Sequence, residues 1–183
     1  VSSLQAPLLG KRLELLKETL PATRRVAVFW DSFSRGQLID VEASALALDI
    51  QVRPIEVKSS SELSRALSRA KEETDAGLFL FSPMFFQLRE KIASEAERVK
   101  LPTAFQEAWF TAAGGLLSYG ADINEAMRRV AYLVDRLLKG SRPSDLPVEQ
   151  IAKLHLAVNL KTAEDLGVTI PQSVLLRADE IVR

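Results

Sequence analysis

Cysteine is missing from all 183 positions. Its absence excludes disulfides, thiolate nucleophiles and thiolate metal sites, and it leaves the redox compartment open. Net charge is missing too, because 24 Lys and Arg balance 24 Asp and Glu. No uniform field exists to hold a phosphate backbone or an anionic membrane, so nucleic acid is not an expected partner. No apolar run reaches the roughly eighteen residues that a bilayer-spanning helix needs. Histidine occurs once, and His155 alternates with leucines without an acid or serine nearby in the sequence; it reads as a satisfied strand histidine rather than a general base. There is no Walker loop, dinucleotide glycine triplet or metal-ligand cluster, so no catalytic residue, metal or cofactor is expected. The first positions, Val1-Ser2-Ser3-Leu4, carry neither a charged n-region nor an apolar h-region. A start at valine is what an excised piece of a longer protein would show.

What is present suits one α/β core, with 47% hydrophobic residues. Leu13, Leu16 and Leu20 lie among charges and form an amphipathic helix that Pro21 stops. Arg25 to Trp30 reads as a strand buried on both faces, which suits a parallel sheet covered by helices. Leu38, Val41, Ala45 and Leu48 supply a helix stripe, and Gln51 to Val57 a second strand placed at the sheet edge because Pro54 cannot donate to a ladder. After a capping-box spacing in Ser59-Ser60-Ser61-Glu62 comes a helix with Leu63, Ala66, Leu67 and Ala70 inward. Ala76 to Phe81 is the third strand, Phe85 to Arg98 a helix, and Pro102 to Phe105 a short fourth strand. This alternation calls for right-handed crossovers and a mostly parallel sheet.

The chain is organised around Ala112 to Asp122, where Gly114 and Gly115 permit close approach of a ligand or second segment and Leu116 to Tyr119 forms a strand ended by Gly120. Asp122, with Glu125 three residues on, caps the longest helix, whose face carries Ile123, Ala126, Met127, Val130, Val134 and Leu137 before Gly140 stops it. Ser141 to Pro147 is a linker by composition; Lys153 to Leu160 alternates as a strand, and a short helix from Lys161 to Leu166 ends at Gly167. Ligands of open parallel sheets bind beyond the carboxyl ends of the strands. Here those ends are Trp30-Asp31-Ser32, Lys58-Ser59, Ser82-Pro83-Met84-Phe85, Gln106-Glu107 and Tyr119-Gly120. They bring carboxylates, hydroxyls and aromatics to one rim, suited to an ammonium group and an apolar side chain. The alternative is that Trp30, Phe85 and Trp109 are core or subunit-contact aromatics and that Ser32 and Ser59 are helix caps. A phospho-acceptor receiver built on Asp31 would need an adjacent acidic pair and a late lysine, which the sequence lacks.

Several of these segments, in order, resemble the ABC transporter substrate-binding proteins of the tryptophan/tyrosine type. They are Gly10 to Glu18, Arg25 to Trp30, Ala113 to Gly120, Leu138-Lys139-Gly140, Leu146 to Gln150 and Val158 to Ala163, followed by Leu166-Gly167 and Ile170-Pro171. The resemblance implies a three-layer, flavodoxin-like lobe of a type I periplasmic-binding-protein fold, with a further N-terminal lobe that this sequence does not include. It divides the chain into an α/β lobe over 1–121, a crossing helix and linker over 122–147, and a strand-helix return segment and tail over 148–183. It implies a solute-binding component of an ABC importer, periplasmic or membrane-anchored outside the cytoplasm, that holds an amino acid, aromatic or branched, or a related small molecule between lobes. Its partners would be that solute and a membrane permease, with a second copy of this chain as an alternative partner for the helix starting at Asp122. Carried over by position, Trp30, Asp31, Ser82, Pro83, Phe85, Glu107, Gly115 and Tyr119 become the ligand-binding candidates. Two other uses of the fold stay open: a ligand-sensing lobe of a regulator, and a flavodoxin-like enzyme that would need a cofactor.

Overall fold

The computed structural model describes residues 6–147 and 153–183. In chain order the elements are α1 (Ala6–Thr19), β1 (Arg25–Trp30), α2 (Leu38–Ala47), β2 (Gln51–Glu56), α3 (Leu63–Glu73), β3 (Ala76–Phe79), α4 (Pro83–Gln87), α5 (Arg89–Arg98), β4 (Thr103–Phe105), α6 (Ala108–Ala112), β5 (Leu117–Ala121), α7 (Ile123–Leu138), β6 (Leu154–Asn159), α8 (Leu160–Leu166), α9 (Gln172–Leu175) and β7 (Glu180–Val182). The strands form one sheet in the order β2-β1-β3-β4-β5-β6-β7. Pairing is parallel from β2 through β5, and β6 then runs antiparallel to β5. Pro54 does lie on an edge strand, where its missing N–H leaves no gap inside the ladder.

The two-residue period of each strand divides the core into two layers. Val26 and Val28 face Leu9, Leu13 and Leu16 of α1 with Val41 and Ala45 of α2. Ala27 and Phe29 face the opposite way, toward Leu63 and Leu67 of α3, Ile92 of α5 and Phe110 of α6. Across this second face Phe29 stacks on Phe79 at 4.3 Å, Phe79 on Phe105 at 5.3 Å and Phe105 on Phe110 at 4.7 Å. Each such pair adds about 0.5–1.5 kcal/mol to the burial itself. The stack dictates a glycine, because a Cβ at Gly115 would come within 2.4 Å of the Phe105 ring.

Three local readings are corrected. The helix expected from Phe85 to Arg98 is two helices that meet at Leu88 (φ −93°, ψ 7°). Phe85, in the aromatic cluster, fixes the register of α4, while Ile92, Ala93 and Ala96 fix that of α5, and the chain bends at Leu88 to satisfy both. The fifth strand starts at Leu117, and Gly120 lies within it rather than ending it. At the start of α3 no serine side chain caps the helix; the Glu62 carboxylate accepts instead from the Lys58 N–H at 2.9 Å. Helix α6 and strand β7, five and three residues long, are too short for a periodicity to announce them.

Asp122 caps α7 as its spacing predicts, accepting from the Glu125 N–H at 3.1 Å. Beyond that cap the helix leaves the sheet. Of its sixteen residues only Ala126 is buried, while Met127, Val130, Tyr132, Val134 and Leu137 stay substantially exposed. The chain returns beside its point of departure, where the Asp122 N–H donates to the Lys153 carbonyl at 3.0 Å and Lys153 Nζ lies 2.9 Å from Asp122 Oδ2. Val148, Glu149 and Gln150 of the resemblance, and the four positions searched for a signal, lie outside the described residues.

Candidate functional site

The carboxyl ends of β1, β3, β4 and β5 share one rim with the start of β6. At the β4–β5–β6 end of that rim lies a cavity of about 240 Å3, bounded by Gln106, Glu107, Trp109, Asp122, His155 and Glu180. Its floor depends on a close approach: a Cβ on Gly120 would fall 2.0 Å from the Gln106 carbonyl oxygen, so glycine there lets the β4–α6 loop sit directly on β5.

Of the eight residues expected at the site, Glu107 alone bounds this cavity. Trp30 ends β1, half-covered, with its ring packed against the α1-side core and the Arg35 guanidinium 6.0 Å from its centre. Asp31 and Ser82 do come together, but as a tie between loops. Asp31 accepts from the Ser34 N–H at 2.9 Å, the Ser34 hydroxyl at 2.8 Å and the Ser82 hydroxyl. Ser82 also caps α4, with Pro83 exposed at the first helical position. Gln37 reinforces the tie, donating to the Phe81 carbonyl and accepting from the Phe81 N–H. Phe85 is fully buried, edge-on to Phe79 at 5.2 Å, and lines nothing on the rim. Gly115 precedes β5 and so sits at the opposite end of that strand from the rim. The Tyr119 side chain packs against the α1-side core.

Beneath the cavity the electrostatics centre on Arg12. The aliphatic spacing of α1 turns this residue inward, where it is completely buried and donates through Nε to the Tyr119 carbonyl at 2.6 Å. Burial lowers its pKa to about 10, opposed by the nearby Glu107 and Tyr119, so it stays charged at neutral pH. Half-buried Glu107 has its pKa raised by desolvation, with Arg12 pulling it back down. The rim thus offers one carboxylate over one buried guanidinium. Trp109, 43% exposed, stands beside them, tilted onto Phe86 with ring centres 5.2 Å apart. Opposite, His155 Nε2 lies 3.7 Å from Glu180 Oε2.

Four residues of this site carried little warning in the sequence. Gln106 stands at one of the named strand ends but is not among the positions that the resemblance carries over, and for Trp109 the sequence offers a core or contact role as the alternative to the rim. His155 and Glu180 meet only because β7 pairs with β6. Among the described residues no group of three or more His, Cys, Asp or Glu is placed to hold a metal ion, and no helix is long and apolar enough to cross a membrane.

The family model described as ABC transporter substrate binding protein matches residues 1–182. No curated protein matches. Among solved structures the chain is similar to an ABC domain in complex with L-Trp from Streptococcus pneumoniae, with a TM-score of 0.85, 24% identity, and coverage of 95% of this chain and 60% of that one. It is similar to a conserved domain protein from Vibrio cholerae, with a TM-score of 0.84, 24% identity, and coverage of 94% and 60%. A LacI family transcriptional regulator from Bifidobacterium animalis shares the fold more loosely, with a TM-score of 0.61, 15% identity, and coverage of 83% and 59%. The architecture is that of a type I periplasmic-binding-protein fold, and the chain spans about 60% of the length of the first two structures.

Proposed function

This chain belongs to the ABC transporter substrate-binding protein family, and from that premise we propose that it forms one lobe of the solute-binding component of an importer, taking an amino acid or a close analogue at the β4–β5–β6 end of its rim. The observation that carries this reading is the half-buried Glu107 carboxylate beside an aromatic, Trp109, on a cavity at the strand ends. A desolvated ammonium needs a paired anion. Glu107 meets that need better than Asp31, whose oxygens already accept three hydrogen bonds from Ser34 and Ser82. The L-Trp in the Streptococcus pneumoniae relative is in keeping with such a solute.

In this reading residues 1–121 form the lobe, 122–147 the crossing helix and linker, and 148–183 the return segment. The exposed apolar face of α7 packs on a second lobe, and the solute closes between the two before delivery to a membrane permease outside the cytoplasm. A ligand-sensing lobe of a regulator could use the same rim, as the likeness to a LacI family regulator suggests; the family match along 1–182 favours the importer. The test is calorimetry of the full-length protein against the twenty L-amino acids, beside Glu107→Gln. The variant should lose about 2–5 kcal/mol of binding, the cost of truncating one partner of a buried charge pair. Unchanged affinity would remove Glu107 from the site.

A further inference from the structure

Gln106 is 2% exposed, and neither Nε2 nor Oε1 of its amide has a hydrogen-bond partner among the described residues. Buried amides normally fill both ends. Asn159, also buried, shows the usual arrangement in this same fold, donating through Nδ2 to the Thr111 carbonyl at 3.0 Å and accepting at Oδ1 from the Thr162 N–H at 2.9 Å. Gln106 differs in its position, because it bounds the rim cavity beside Glu107 while its own carbonyl is held down on Gly120. Its backbone is fixed, and its amide has nothing in the fold to serve.

We propose that Gln106 is a specificity-determining residue whose buried amide turns into the cavity on binding and reads the head of an α-amino acid, accepting from the ammonium at Oε1 and donating to the carboxylate from Nε2. The inference rests on the amino-acid reading given above and adds the element that separates amino acids from simpler amines and acids. An α-amino carboxylate carries a donor and an acceptor on adjacent carbons, which is the complement of one primary amide. Glu107 supplies the charge for the ammonium, and the Arg12 guanidinium, charged and buried beneath the site, favours the carboxylate. A solute with only one of the two groups leaves one end of Gln106 buried without a partner, and sites built to hydrogen-bond a group discriminate strongly against analogues that lack it.

The experiment uses the full-length protein, the twenty L-amino acids, and, for whichever binds most tightly, its decarboxylated amine and its deaminated acid. Calorimetry and ligand-free melting are measured for the natural protein and for Gln106→Leu. The amino acid should bind Gln106→Leu about 10- to 100-fold more weakly, the range expected for hydrogen bonds to charged groups. The amine and the acid should bind the natural protein more weakly than the amino acid and should lose less on substitution. The ligand-free melting temperature should hold or rise, since an unserved polar group is replaced by an apolar one of similar size. Unchanged affinity of Gln106→Leu for the amino acid would overturn the proposal, as would a fall in ligand-free melting temperature that marks Gln106 as a structural residue. Failure of the natural protein to bind any of the twenty would instead overturn the amino-acid reading on which it rests.

Discussion

Burial raises the pKa of Glu107 above the ordinary carboxylate value, so the ionised side chain is a cost to the free protein. Because the folded value lies above the unfolded one of about 4.3, its contribution to stability is fully present below that pH and is lost as pH rises through the folded value. An ammonium placed against the carboxylate reverses the shift. Binding a cationic solute near the raised value should therefore release a proton, and affinity should fall on acidification. Titrations at a series of pH values upward from the free carboxylate value, in buffers of different ionisation enthalpy, will show this as a buffer-dependent heat; equal heats in all buffers would contradict it. Asp31 behaves differently. Replacing it with alanine strips the acceptor from Ser82 and Ser34, and should cost about 1–3 kcal/mol in denaturant unfolding, as leaving buried donors unserved does. A loss of solute affinity with unchanged stability would restore Asp31 to the binding site. Half of that tie was legible, since Asp31 and Ser34 are three residues apart; Ser82, 51 residues along, was not.

Helix α7 shows what an element can reveal from its sequence and what it cannot. Its cap, its length and its apolar face were all readable, because capping and helical periodicity are local. The surface that covers the face was not, because nothing local names a partner. If a second lobe covers it, serine at Val130, Val134 and Leu137 together should destabilise the full-length protein by about 3 kcal/mol or more, from the burial lost. The same changes in the 183-residue chain should leave unfolding nearly unaltered while reducing any concentration-dependent association in sedimentation. Equal effects in both proteins would mean that the face has no partner in the second lobe. Short elements were the opposite case. Helix α6 carries Trp109 to the cavity, and β7 carries Glu180, yet each is too brief for a period and is held by its neighbours in the sheet.

At the scale of the molecule the parallel order of the first five strands followed from alternating apolar runs and amphipathic stripes, and from Pro54 at the edge. Which strand ends would form the cavity beside Glu107 did not follow, since the rim spans the sheet and this hollow lies at its β4–β5–β6 end. That choice is made by Gly120 and by the antiparallel return of β6, which no residue pattern on β5 alone could announce. A hollow on one lobe covers about one side of a solute, whereas small-molecule sites usually bury roughly 70–90% of it. The remaining contacts must still offset a loss of translational and rotational freedom of about 4 kcal/mol or more. The strands from Arg25 to Ala121 carry their own helices, so the lobe should fold without help while binding poorly. The most direct measurement is calorimetric titration of the twenty L-amino acids into this chain and, side by side, into the full-length protein. The account predicts micromolar or tighter binding of at least one by the full-length protein and none detectable by the chain; equally tight binding by the chain would contradict a cleft shared between two lobes.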